Sequence, residues 1–269
     1  MMDYYDHPGI SNSKLIQFGG SKSPAHYKHT IENGWKETPD MLFGTGGHTL
    51  LFEPQRLKTD FYILDRSKMP NPNDDFRNKE NKLWKKEQEL INEGKKQLDS
   101  LDYQELANMQ EVLFRHELAS KLILECDQFE FEHYWTNDLG QRLKKKVDGI
   151  KFGHYQLDYK TCQSSDPKEF RRHAYKFKYH RQAGFYYEEH PGDFYFIAQE
   201  KTAPYAVTVF KCTPEFIQKG IEENRKDLIQ LRACMEYNMW PGHEIKRDDF
   251  NSDGEVFLLD LPDYVIQNS

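Results

Sequence analysis

Long apolar runs are missing from this chain of 269 residues. No window approaches the roughly 18 uninterrupted apolar residues of a membrane-spanning helix, which excludes an integral membrane protein of that type. Cysteine is scarce: four residues, at positions 126, 162, 212 and 234, with no CxxC pair among them. That spacing excludes a zinc ribbon or a cysteine-ligated iron–sulfur cluster and suits reduced thiols in a cytosolic compartment. The start, MMDYYDHPGI, has neither a basic opening nor an apolar stretch, so no signal peptide is expected. There is no internal repeat, no long low-complexity tract and no phosphate-cradling glycine loop. The GTGG at 44–47 lacks the strand-then-GK setting of such a loop. Aromatics, by contrast, are plentiful: 18 Phe, 16 Tyr and 4 Trp carry far more apolar surface than a disordered chain holds. With 37% hydrophobic residues, the length is enough for one domain with its own core.

The net charge of −7 conceals an asymmetry. From Gln141 to Arg181 there are twelve Lys/Arg against four Asp/Glu, a net of +8, which leaves −15 on the rest. A basic stretch on an acidic body is the pattern of a local polyanion track, with an ordinary solvated helix face as the bland alternative.

Periodicity predicts a short helix over 11–18 after a serine cap and a second opened by Ser23-Pro24. A buried helix holding His48 is expected over 41–53, ended by Pro54. Residues 65–78, rich in Pro, Asn and Asp, read as a mobile loop, and 79–98 and 102–126 as helices. The pattern then switches to period two. Strands are expected at 129–135, 142–151 and 153–160, then a helix over 166–190, strands at 193–200 and 204–211, and a last helix from Thr213-Pro214 to about Tyr237. This order predicts a single mixed α/β domain over 1–245 with a central sheet and flanking helices, and an irregular tail over 246–269.

The chemistry concentrates in Val147-Asp148-Gly149 and, ten residues on, Leu157-Asp158-Tyr159-Lys160. Adjacent strands of a hairpin bring Asp148 and Asp158 together, and Lys160, two residues on, shares the face of Asp158. Two carboxylates and an ammonium at one place match divalent-metal hydrolysis of a phosphodiester. As a bare pattern, D-x10-DxK is common, and two surface aspartates with a salt-bridging lysine would produce it equally well.

Several further segments stand in register with this pair: SNSKL (11–15), SPAHY (23–27), GTGGHTLLFEP (44–54), FEFEHYWT (129–136), KVDGI (146–150), LDYKT (157–161), QAGFYYE (182–188) and NMWPG (238–242). Together they resemble the PD-(D/E)XK nuclease superfamily, most of all the C-terminal nuclease domain of the RecE-type exonuclease VIII of phage recombination. The resemblance implies a restriction-endonuclease-like α/β fold. It makes Asp148, Asp158, His48 and the Tyr159 carbonyl metal ligands, and Lys160 the catalytic lysine. Gln182 and Tyr186 become the QxxxY pair lining the site on one helix face. Glu130 is the glutamate of the preceding strand, with Glu132 as its competitor on the same face. Where many relatives carry Arg-Pro-Asp this chain has Lys146-Val147-Asp148, keeping a positive charge but losing a bidentate phosphate fork.

The expected function is thus a Mg²⁺-dependent exonuclease (Mn²⁺ substituting) that degrades double-stranded DNA ends 5′ to 3′. Lys146, Arg171, Arg172 and Lys176 are the expected contacts to the DNA backbone. The resemblance further implies a homo-oligomeric ring, a single-strand annealing partner, and a place in the cytoplasm of a bacterial or phage-infected cell, with no membrane association. The alternatives are a RecB-like nuclease trimming ends or single strands, a non-catalytic DNA-binding or annealing module, and a phosphate-binding metabolic protein.

Overall fold

The computed structural model describes residues 4–34, 38–243 and Leu259; apart from Leu259, the expected tail over 246–269 lies outside the described residues. Two short helices open the chain, α1 (Asn12–Gly20) and α2 (Pro24–Asn33), each capped by the serine before it: Ser11 accepts from the Lys14 amide and Ser23 from that of His26. Helix α3 (Pro39–Phe52) carries His48, and Pro54 starts a separate 3-10 turn that leads into α4 (Leu57–Asp60). A small parallel sheet follows, β1 (Phe61–Leu64) paired with β2 (Lys96–Asp99), with α5 (Lys79–Ile91) between them. Helices α6 (Ser100–Arg115) and α7 (Glu117–Leu124) lead into the main sheet.

That sheet consists of β3 (Gln128–Thr136), β4 (Arg142–Lys151), β5 (Tyr155–Cys162), β6 (Asp193–Glu200) and β7 (Val207–Lys211), in this spatial order. β3, β4 and β5 form an antiparallel meander. β5 and β6 are parallel, joined through α8 (Pro167–Lys176) and α9 (Tyr179–Tyr187), and β7 returns antiparallel to β6. Helix α10 (Pro214–Glu236) closes the domain. The mixed α/β architecture is the one expected.

Helices cover both faces of the sheet. On one, Leu143, Val147, Phe194 and Phe196 pack against α1, α9 and α10 through Leu15, Phe18, Ala183, Phe185, Ile217 and Leu228. On the other, Leu157, Tyr159 and Ile197 meet Phe52, Leu113, Leu122 and Ile123 of α3, α6 and α7. Among the described residues no helix is long and apolar enough to cross a membrane.

Three expected helices are shorter than their patterns. The helix read over 79–98 ends at Ile91; Gly94 takes a left-handed φ of +83°, and 96–99 form β2, with Leu98 buried among Phe61, Leu106 and Met109. The helix over 102–126 breaks at His116, whose extended backbone starts a new helix and whose Nδ1 accepts from the Ala119 amide. The helix over 166–190 breaks at Phe177-Lys178, where Lys178 is left-handed (φ +62°). The loop after Arg66–Lys68 has an anchor that its composition does not announce. Asn81, fully buried, accepts from the Asn71 amide and donates to the Asn71 and Asp75 carbonyls.

The crossing of α9 over α10 sets where α9 lies on the sheet. It depends on Gly184 and Gly220 facing each other: a Cβ on Gly220 would lie 1.8 Å from the His180 carbonyl oxygen, and one on Gly184 2.5 Å from the Ile221 nitrogen. Both obstacles are backbone, so neither can rotate away. Gly220→Ala is therefore expected to lower stability by about 1–3 kcal/mol, as overpacking does. Gly44→Ala, whose Cβ has nothing within 4 Å, serves as the helical control, expected to gain up to about 1 kcal/mol from propensity. Thermal melts of the two variants beside the parent check the contrast.

Candidate metal centre

β4 and β5 pair over three rungs, Gly149 with Leu157, Ile150 with Gln156 and Lys151 with Tyr155. Beyond the first of these the strands part, and the two acidic positions stand at the fork. There the Asp148 carboxylate takes the place of a backbone partner: its Oδ2 accepts from the Tyr159 amide at 2.7 Å. β3 is also distorted at this level. Its ladder with β4 pairs Phe129 with Gly149 and Phe131 with Val147 but has no pair at Glu130, whose φ is +49°. A non-glycine residue in that region is strained, and such strain collects where surroundings force a side chain into place.

The side chains converge as follows. His48 Nδ1, from α3, lies 3.3 Å from Asp148 Oδ2 and 3.9 Å from Glu130 Oε1. His48, Glu130 and Asp148 each offer a ligand atom, all within 4.8 Å of one another. Asp158 lies beside this trio with its oxygens engaged: Lys160 Nζ sits 2.5 Å from Oδ2, and Gln182 Nε2 donates to Oδ1. Lys160 also lies over the ring of Tyr179, 5.0 Å from its centroid. Tyr186, one turn after Gln182, donates its hydroxyl to the Lys146 carbonyl at 2.8 Å and so holds β4 rather than reaching the trio. The Tyr159 side chain is turned into the core, donating to Gln199 Oε1 at 2.7 Å, while its carbonyl faces the His48 ring.

The choice between the two glutamates of β3 is made by geometry. Glu130 is a member of the trio, whereas Glu132 accepts from the Tyr134 hydroxyl at 2.8 Å. Lys146, expected on the DNA backbone, has its ammonium 3.0 Å from Glu130 and 4.0 Å from Glu53 and is mostly enclosed. Glu53 is a site neighbour that the sequence reading does not single out, although it closes the GTGGHTLLFEP segment; an acidic residue little more than one turn after His48 is the signal that points to it. Arg171, Arg172 and Lys176 are exposed on α8, outside the cluster.

The twelve cations of the basic stretch prove to have separate roles. Lys144 is buried and donates to the Tyr4 and His7 carbonyls, and Lys145, fully buried, donates to Gln156 and to the Tyr186 carbonyl. Lys146 and Lys160 neutralise site carboxylates, Lys151 pairs with Glu125, and Arg181 pairs with Asp227. A continuous track of twelve charges is thus replaced by a smaller group centred on α8.

Burial lowers the His48 pKa to about 4, against the opposing pull of Asp158, so the ring is neutral at pH 7 and has a lone pair to give. Burial, then Asp158, then Glu130, push Asp148 well above the ordinary carboxylate range; burial also raises Glu130, against Lys146. For Lys160 burial acts downward and is the largest single influence, but Asp158, Tyr179 and Asp148 together outweigh it and the pKa is raised, so the group is an ammonium at neutral pH. Crowded carboxylates that resist ionisation, beside a neutral imidazole, are a donor set suited to a hard divalent cation, which relieves their repulsion. Such an ion would polarise a phosphoryl oxygen and acidify a bound water. The chain's own residues do the rest: Lys160 places positive charge beside Asp158, Gln182 fixes that carboxylate's rotation, and Tyr186 ties β4 to α9.

Compared with known proteins, residues 11–247 match the family described as the PDDEXK-like domain of unknown function (DUF3799). The chain belongs to this PDDEXK-like family. Its fold is also similar to a solved structure from Eubacterium rectale described as a "putative exonuclease". The TM-score is 0.60 at 14% identity, covering 94% of this chain and 99% of that one. A second structure, of SSO0001, aligns with a TM-score of 0.30 at 12% identity over 74% of this chain and 88% of that one, too weak to carry an argument. No curated protein matches.

Proposed function

We propose that this PDDEXK-like protein is a Mg²⁺-dependent DNA exonuclease that degrades duplex ends 5′ to 3′ and leaves a 3′ single strand for an annealing partner. The observation that carries the reading is the convergence of His48, Glu130 and Asp148 within 4.8 Å beside the Asp158–Lys160–Gln182 chain. Polarity, the annealing partner and a homo-oligomeric ring rest on the resemblance to RecE-type exonucleases. The test is incubation with end-labelled linear duplex and with covalently closed circular DNA, each with Mg²⁺ and with EDTA. The expected result is Mg²⁺-dependent release of nucleotides from the linear duplex alone. Cutting of the circle would make the enzyme an endonuclease, and an inert linear duplex would leave a binding module.

The exposed cations of α8 supply the expected contacts to the backbone. Arg172→Ala and Lys176→Ala should each weaken duplex binding on any sequence and lower the log–log salt slope by roughly 0.9. Titrations at several salt concentrations, in EDTA, decide it. An unchanged slope in both variants means that the duplex runs elsewhere.

A further inference from the structure

A cavity of about 690 Å³ opens on the other side of α9 from the metal centre, between α1, the α8–α9 break and α10. Its cationic lining is Lys176, Lys178, Arg181, Lys219 and Lys226. Three carboxylates share the wall, and two are already satisfied: Asp227 pairs with Arg181 at 2.7 Å, and Glu223 with His180 at 3.0 Å and Lys219 at 3.6 Å. Glu222 accepts from Gln218 Nε2 at 3.2 Å. Lys176, Lys178 and Lys226 have no carboxylate within ion-pair distance among the described residues, which leaves three ammonium groups against one carboxylate.

Two further observations bear on what fills this space. Lys178 enters the cavity from a left-handed backbone, φ +62° and ψ +33°, an unfavourable conformation for a lysine and one that breaks α8 from α9 at this point. Such strain persists where its surroundings impose it and concentrates at functional positions. Beside the cavity, Tyr175 and Phe177 are 55% and 50% exposed, and Lys178 and Lys176 lie over their respective rings at 5.2 and 5.6 Å. Ammonium groups that lack a carboxylate partner and lie over half-exposed rings offer phosphates and unpaired bases what each needs; a duplex, with its bases stacked inside, would leave the rings unused.

We propose that this cavity binds single-stranded nucleic acid, with backbone phosphates against Lys178 and Lys226 and an unpaired base on Tyr175 or Phe177. The assignment deepens the nuclease reading, on which the identity of the strand rests: the same helix that sets Gln182 on Asp158 presents Arg181 to the cavity, so α9 borders both the cavity and the fork.

The test uses a fluorescein-labelled oligothymidine of roughly 20 nucleotides and the full chain in EDTA, followed by anisotropy over a range of salt. Lys178→Gln/Lys226→Gln should weaken binding roughly tenfold at low salt and reduce the log–log slope by roughly 1.4, about 0.7 for each single-strand phosphate no longer neutralised. Tyr175→Ala with Phe177→Ala should weaken oligothymidine binding more than duplex binding. Slope and affinity equal to the parent's in the lysine variant overturn the proposal. Should the double variant melt early, Lys178→Gln alone is expected to remove about half of the slope change. A parallel Mg²⁺ assay on labelled duplex separates the two readings. Lysine-dependent oligothymidine binding by a protein that cuts nothing supports the cavity and sinks the nuclease, whereas cutting with an unchanged slope sinks the cavity alone.

Discussion

Asp148→Asn is expected to abolish Mg²⁺-dependent cleavage, by about a thousandfold or more, while leaving a folded protein that melts no earlier than the parent in EDTA. The first half follows from the loss of a charged ligand atom at the centre of the His48–Glu130–Asp148 trio. The second follows from linkage. Asp148 has a folded-state pKa raised by burial, by Asp158 and by Glu130. A raised carboxylate contributes stability below its unfolded pKa and loses it as pH rises through the folded one. As pH rises through the folded pKa, the parent without metal therefore takes on an unfavourable negative charge in the fork. Asparagine mimics the protonated state and can still accept from the Tyr159 amide, so it removes the penalty. Melting curves from pH 5 to 9 check this: the parent's Tm in EDTA should fall relative to the variant's as pH rises, and Mg²⁺ should raise the Tm of the parent but not of the variant. A variant that cuts at the parental rate, or a parent whose Tm ignores Mg²⁺ at pH 8, would remove Asp148 from the metal site.

Lys160→Ala should reduce the single-turnover rate by a factor of roughly 10²–10⁴, the range expected for a group that acts at the reacting centre, with DNA affinity within a few-fold of the parent. Removing the ammonium also leaves Asp158 enclosed with only Gln182 for company. Some loss of stability is therefore expected, below the several kcal/mol of a fully buried pair because the lysine is partly open to solvent. Lys160→Met, which keeps the aliphatic packing on Tyr179 and Phe196, separates the effects. It should melt later than the alanine variant and cut no better. A lysine serving only as a salt bridge would return both variants near the parental rate.

The main sheet was legible because its strands announce themselves locally. The period-two run through Phe129, Phe131, His133 and Trp135, and the apolar 193–200, need no tertiary information to be read. The fork residues were legible for the same reason, since Asp148 and Asp158 interrupt otherwise buried strands. What escaped was set by partners distant in sequence. Lys96–Asp99 is a strand because Phe61–Leu64 lies beside it, yet its composition, KQLD, favours neither state. The +8 stretch misled because charge was summed along the chain. Alternation on β4 sends Lys145 to the α9 carbonyl of Tyr186 and Lys146 to Glu130 on the opposite face, so neighbours in sequence serve different layers. Asp158 stands apart from the trio for a similar reason: Gln182 and Lys160 hold it, and only packing of α9 brings Gln182 there.

The order in which the site's residues occur along the chain bears on when the site can form during synthesis. His48 lies in the first fifth of the sequence, Glu130 and Asp148 near its middle, and Gln182 on a helix held in place by Gly220 of α10. During synthesis the carboxylates leave the ribosome well before the segment that seats α9 on them, and domains settle as units rather than residue by residue. A chain that stops short of α10 therefore carries the acidic pair and α9 without the helix that seats α9 on them. On the proposed nuclease reading, a chain truncated before α10 is expected to show no Mg²⁺-dependent cutting, because α9 then lacks the glycine contact that seats it.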